Sequence, residues 1–72
     1  MKADDLAWIL KTRVEAAGGN AYPAVHLFGI EFAEPLADQS LRRICVMAGL
    51  SANYGTEVGK GRKLAPFVDV KK

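Results

Sequence analysis

LRRICVMAGLSANYGTEVGKGRKL, residues 41–64, is the stretch whose reading decides the fold. Leu41, Ile44, Cys45 and Ala48 fall at i, i+3, i+4 and i+7, one stripe of a helix with 3.6 residues per turn. The pattern predicts a helix over 38–48 with Asp38 as its N-cap. Gly49 then ends it, at a point where a sharp turn between helices favours positive φ. Leu50 is apolar and plugs the angle between the two helices. Ser51 is a good N-cap for a second helix over 52–59. Gly59, Gly61 and Pro66 are expected to break the chain beyond that helix. Cys45 is small enough to let the helices approach closely, and Val58 is expected to bury the inner face of the second one. Gly55 costs that helix roughly 1 kcal/mol of propensity relative to alanine. It also leaves a gap for a neighbour such as Tyr54 or Phe67 to fill.

Upstream, Leu6, Ile9, Leu10 and Val14 lie at i, i+3, i+4 and i+8 and predict an amphipathic helix over 4–17. Asp4 or Asp5 suits its N-terminus, and Gly18-Gly19 suits its end. Trp8, at the edge of the stripe, reads as a core anchor. Residues 20–35 are ambiguous. Pro23 is suited to the first turn of a helix through Ala33 and Pro35 to ending it. The same apolar run, rich in Val, Ile and Phe, also reads as a buried strand. The fold class expected is therefore all-α, a small bundle of four to five helices. The alternative is a winged variant with a short strand near residues 25–32. A single domain over 1–70 with a basic tail at 71–72 is expected, with a last apolar contact from Phe67, Val68 and Val70.

Seventy-two residues have no room for a second domain or a deep cleft. One cysteine makes no internal disulfide. The chain shows neither a secretory N-terminus nor 18 consecutive apolar residues, so a cytoplasmic location and no membrane partner are expected. The net charge of +2 is unevenly spread. Residues 1–39 carry three basic and six acidic groups, net −3, and residues 40–72 carry seven basic and two acidic, net +5. A basic half suits a polyanion, and also suits a solvated surface.

Residues 41–64 resemble the helix-turn-helix of lambda-repressor-like bacterial regulators, through Cys45, Ala48-Gly49-Leu50-Ser51 and Lys60-Gly61-Arg62. Gly55 departs from that pattern, which usually has Ile or Val there, and the departure bears on the straightness of the second helix. A wider resemblance, over about 24–68, is to short bacterial proteins with a helix-turn-helix-like domain. It rests on His26-Leu-Phe-Gly-Ile30, Tyr54-Gly-Thr-Glu57, Lys60-Gly61 and Lys63-Leu64. The resemblance implies a small bacterial or phage transcriptional regulator, with the second helix of the motif, about 52–60, in the major groove of double-stranded DNA.

On that reading the DNA-binding set is Ser51, Asn53, Tyr54, Thr56, Glu57, Lys60, Arg62, Lys63, Arg42 and Arg43. Asn53 suits an adenine edge and Glu57 a cytosine amino group. Lys60, Arg62 and Lys63 suit phosphates, and Arg42 and Arg43 the flanking backbone. The bland readings stand beside these: Glu57 paired with Lys60 or Arg62, Asn53 bonded locally, Arg42 and Arg43 merely solvated. A single motif makes few base contacts, so a homodimer is one expectation. Residues 25–32 would then be either the dimer surface or the monomer's core.

No catalytic set, cofactor, metal site or small-molecule substrate is expected. One Cys and one His fall short of a zinc site. Cys45 with His26 could pair as nucleophile and base on composition, but a thiol on a buried stripe is inert. His26 reads as a core-edge residue with one satisfied nitrogen. Residues 55–60 look superficially like a phosphate loop, but they are one residue short and lack the closing Ser or Thr. A protein-interaction adaptor on the same fold is the competing function.

Overall fold

The computed structural model describes residues 1–68, and these form five α-helices and a terminal 3₁₀ turn. The helices are α1 (Ala3–Ala16), α2 (Ala21–Glu31), α3 (Ala33–Leu36), α4 (Leu41–Met47) and α5 (Tyr54–Leu64), and the turn is Ala65–Phe67. No strand occurs among the described residues, which overturns the winged alternative. The ambiguous stretch, residues 20–35, is helical in α2 and α3, and Val25, Phe28 and Gly29 are buried together on one side of α2. A strand would have sent neighbours to opposite faces. No helix of the described residues is long and apolar enough to cross a membrane.

The core gathers Leu6 and Leu10 of α1, Val25 and Phe28 of α2, Leu36 of α3, Ile44 and Cys45 of α4, and Val58 of α5, all essentially fully buried. The predicted stripes supply half of these, Leu6, Leu10, Ile44 and Cys45, and α2, α3 and α5 supply the rest. Ile9, Val14, Leu41 and Leu50 pack at its margin. Arg13 clamps α1 to the end of α2, gripping both carboxylate oxygens of Glu31. Its guanidinium also lies 5.2 Å from the centre of the Phe32 ring. The hydrogen bond to Glu31 raises the Arg13 pKa above its usual value.

Several local expectations are corrected. Trp8 is 67% exposed and anchors nothing, because the core side of α1 is filled by Leu6, Ala7 and Leu10. Helix α1 begins after Lys2, so Asp4 and Asp5 lie in its first turn, where they face the positive end of the dipole. Helix α2 starts at Ala21, two residues before Pro23, a first-turn place where proline is still tolerated. It ends at Glu31, and Pro35 lies within the short α3. Helix α4 is capped by Ser40, whose Oγ accepts from the Arg43 N–H at 3.3 Å, rather than by Asp38. Phe67 is 81% exposed. Val70 and the Lys71-Lys72 tail lie outside the described residues.

Candidate nucleic-acid interface

The turn between α4 and α5 closes by hydrogen bonds of a definite pattern. The Leu50 N–H donates to the Cys45 carbonyl at 2.9 Å, and the Gly49 N–H to the Val46 carbonyl at 3.0 Å. These are the two bonds of a Schellman stop, and Gly49 takes the left-handed conformation it requires, with φ 83°. Leu50 turns inward against the core. Ser51 Oγ then accepts from the Asn53 N–H at 3.3 Å. Residues 51–56 descend through i to i+3 bonds, with Tyr54, Gly55 and Thr56 donating to the carbonyls of Ser51, Ala52 and Asn53. The α-helix proper therefore starts at Tyr54, two residues later than the sequence suggests. It also runs past Gly59 and Gly61 to Leu64, rather than breaking there.

Glycine explains how α5 sits. A methyl group on Gly61 would clash with the His26 carbonyl oxygen and lie 3.2 Å from Gly29 Cα. One on Gly29 would clash with the Val58 carbonyl oxygen and lie 3.0 Å from the Arg62 nitrogen. Helices α2 and α5 thus cross backbone on backbone, and their contact is the most extensive between helices of the described residues. Gly55 does the same against α4, where a methyl group would lie 2.9 Å from Arg42 Cγ and 3.1 Å from Arg42 Cα. The gap expected at Gly55 is filled by the Arg42 backbone and stem, not by Tyr54 or Phe67.

With Gly55, Val58 and Gly61 turned inward, Asn53, Thr56, Lys60 and Lys63 share the outer side of α5 and are all exposed. Spacings of three and four residues place them in one row. Arg42 and Arg43, in the first turn of α4, are exposed too, and Arg42 stands directly beside Gly55 at the α5 N-terminus. Ser51 is exposed at the turn.

Three of the ten residues singled out are differently engaged. Glu57 shows only 19% of its side chain to solvent, and both of its oxygens are occupied. Oε1 lies 2.9 Å from His26 Nε2, and Oε2 lies 3.1 Å from Lys60 Nζ. The His26 and then the Lys60 hydrogen bond hold its carboxyl below the usual carboxylate range. Arg62 reaches inward, with Nη1 3.5 Å from the Leu36 carbonyl at the end of α3. Tyr54 is half-buried against the core, and its ring lies 5.5 Å from that of Tyr22. His26 and Tyr22 join this corner although neither was placed in the set. Both come from α2, and the crossing that brings them here is set by glycines that carry no side-chain signal.

The sequence matches the family profile described as an HTH-like domain over residues 2–71. The chain belongs to the HTH-like domain family. Neither the curated proteins nor the solved structures yielded a match. In this HTH-like domain the match takes in all five helices, so α1 to α3 are part of the family's unit and not an appendage to the α4–turn–α5 segment. Among its described residues, no group of three or more His, Cys, Asp or Glu side chains gathers as a metal site would need.

Proposed function

We propose that this HTH-like domain is a small transcriptional regulator that binds double-stranded DNA by laying the outer row of α5 in the major groove. One observation carries the reading. Asn53, Thr56, Lys60 and Lys63 form an exposed row without an acidic member, and Arg42 and Arg43 flank its N-terminal end. Lys60, Lys63 and the two arginines suit phosphates, while Asn53 and Thr56 suit base edges. Glu57 drops out as a reader of cytosine in this arrangement, because its acceptor oxygens already serve His26 and Lys60. Arg62 and Tyr54 support the row from within rather than face the groove. The proposal assigns the domain no reaction. Its one thiol, Cys45, is fully buried, and burial pushes the thiol pKa up to about 11.

The test is a fluorescence-anisotropy titration with mixed-sequence duplex at several salt concentrations, using the wild type and a Lys60→Ala/Lys63→Ala variant. The wild type is expected to bind with a steep negative salt dependence. The variant's log–log slope should be shallower by about 1.8, the value for two lost phosphate contacts. Absence of binding by the wild type at low salt would refute the reading.

A second reading, an adaptor that uses the same fold to hold a protein, draws on Leu64, Phe67 and Val68. These apolar residues lie close together at the end of α5 and are 48%, 81% and 43% exposed. The same surface would serve a homodimer, which a two-fold DNA site requires. Under the adaptor reading, Lys60→Ala/Lys63→Ala leaves partner binding unchanged while Phe67→Ser abolishes it.

A further inference from the structure

The corner where α2 meets α5 contains a chain of polar contacts that reaches the outer row from beneath. Glu57 is its pivot, with His26 Nε2 on one oxygen at 2.9 Å and Lys60 Nζ on the other at 3.1 Å. We infer that His26 is a positioning residue for Lys60, acting through Glu57, and that it makes duplex affinity rise as pH falls. This rests on the DNA-binding reading above and adds to it a residue and a regulation that the row itself does not contain.

The protonation states come from the geometry. An ionised carboxylate only accepts hydrogen bonds, so the His26 nitrogen facing Glu57 must be the donor. Nε2 therefore carries the hydrogen in the neutral ring, and Nδ1 is the atom that takes up a proton. The side chain is 37% exposed, so water has access to the ring. With His26 neutral, the Glu57 charge is matched by Lys60 alone, and the trio is electrically neutral. With His26 protonated, two cations share one carboxylate and the trio carries +1. Glu57 is drawn toward His26, and Lys60 is released toward a phosphate.

Among the described residues, few other charged groups face this ring. On its own helix, Tyr22 lies 6.4 Å away, centroid to centroid. From α5 the facing groups are Glu57 and Lys60, with Tyr54 behind Tyr22. Arg62 is turned toward the Leu36 carbonyl. The α1 contact with α2 carries its charge at Arg13, which is bound to Glu31 at the far end of α2. Glu34 of α3 is exposed, and the 3₁₀ turn brings no titratable side chain. His26 is also the only histidine in the sequence.

The experiment measures duplex affinity by anisotropy from pH 5.5 to 7.5 at fixed salt for the wild type, His26→Gln and Glu57→Gln, with circular dichroism confirming that each is folded. Glutamine at 26 keeps an N–H for Glu57 but does not titrate. Wild-type affinity should be about threefold to tenfold tighter at the acid end, as one added positive charge near the phosphates would give. His26→Gln should be flat at the alkaline wild-type value. Glu57→Gln should bind more tightly than wild type at pH 7.5, because Lys60 is no longer held. A long-range nitrogen–proton NMR spectrum of the wild type should show the Nε2–H tautomer, whether or not any variant folds.

Binding that is flat with pH in the wild type, an unchanged slope in His26→Gln, a Glu57→Gln variant that binds more weakly, or an Nδ1–H tautomer would each overturn the inference while leaving the DNA reading intact. A wild type that binds no duplex at any pH would refute that reading itself.

Discussion

On its inner side α5 presents Gly55, Val58 and Gly61 to the rest of the protein, and on its outer side Asn53, Thr56, Lys60 and Lys63 to solvent. The inner side is built largely from absent side chains. Two of its three members let another backbone come within van der Waals contact, and the third fills the core. The outer side is built from exposed long or polar side chains, with Lys60 paired to Glu57. This contrast places all the constraint of the helix on one edge. The outer residues are then free to vary with a target, while the inner ones are held by geometry alone. The two sides should therefore respond to substitution in opposite ways.

The largest effect is expected at Gly61. Alanine there gains about 1 kcal/mol of helix propensity. It also forces a methyl group into the His26 carbonyl and Gly29 Cα, both backbone atoms that move only if a helix moves. Overpacking of this kind costs up to about 3 kcal/mol, occasionally more. A net loss of about 2 kcal/mol is expected for Gly61→Ala, seen as a fall in Tm of about 10 °C in a domain of this size. Gly29→Ala should behave alike. The double variant should lose less than the sum, because the first methyl group already separates the helices. Additive losses would mean that the two glycines do not share one contact.

A smaller loss is expected at Gly55. The nearest atom to an added methyl group is Arg42 Cγ, part of a side chain that can swing, and the Arg42 backbone lies at 3.1 Å. Gly55→Ala should cost under about 1 kcal/mol, since the propensity gain offsets most of the crowding. A thermal melt in which Gly55→Ala falls as far as Gly61→Ala would mean that the α4–α5 approach is as rigid as the α2–α5 crossing.

These glycines also mark where the sequence was and was not legible. The stripes of Leu6 and Leu10, and of Ile44 and Cys45, were readable because apolar side chains announce their own burial. Gly49 was readable because a stop between two periodic segments has a known chemistry. The crossing of α2 over α5 was hidden. A glycine inside a helix reads locally as a weakness, so the sequence predicts a break at Gly59 and Gly61, the second of which is where α5 packs most tightly. Because the crossing was hidden, so were its consequences for the site. His26 was expected to have one satisfied nitrogen, but its partner was not foreseeable from a residue 31 positions away. On sequence alone Glu57 has Lys60 and Arg62 of its own helix as partners, and only the fold supplies His26. Trp8 failed for a plainer reason: aromatic size suggests burial, yet Leu6, Ala7 and Leu10 already fill the side of α1 that faces the core.

The smallest effect separates the two sides by its sign. Thr56 is exposed on the outer row, where a β-branched side chain loses rotamer freedom without gaining a packing partner. Thr56→Ala should therefore stabilise the domain by about 0.5 kcal/mol, the propensity difference at an exposed helical position, and raise Tm by roughly 2–4 °C. If the outer row meets DNA, the same variant loses a hydroxyl at a base edge and should weaken duplex binding while it stabilises the fold. Inner-side variants lose both together, because a displaced α5 carries its outer row with it. A Thr56→Ala protein that melts lower than wild type would show that the outer side is packed after all. One that melts higher and binds duplex unchanged would confine the interface to the lysines and arginines, and the contact would then be to the phosphate backbone alone.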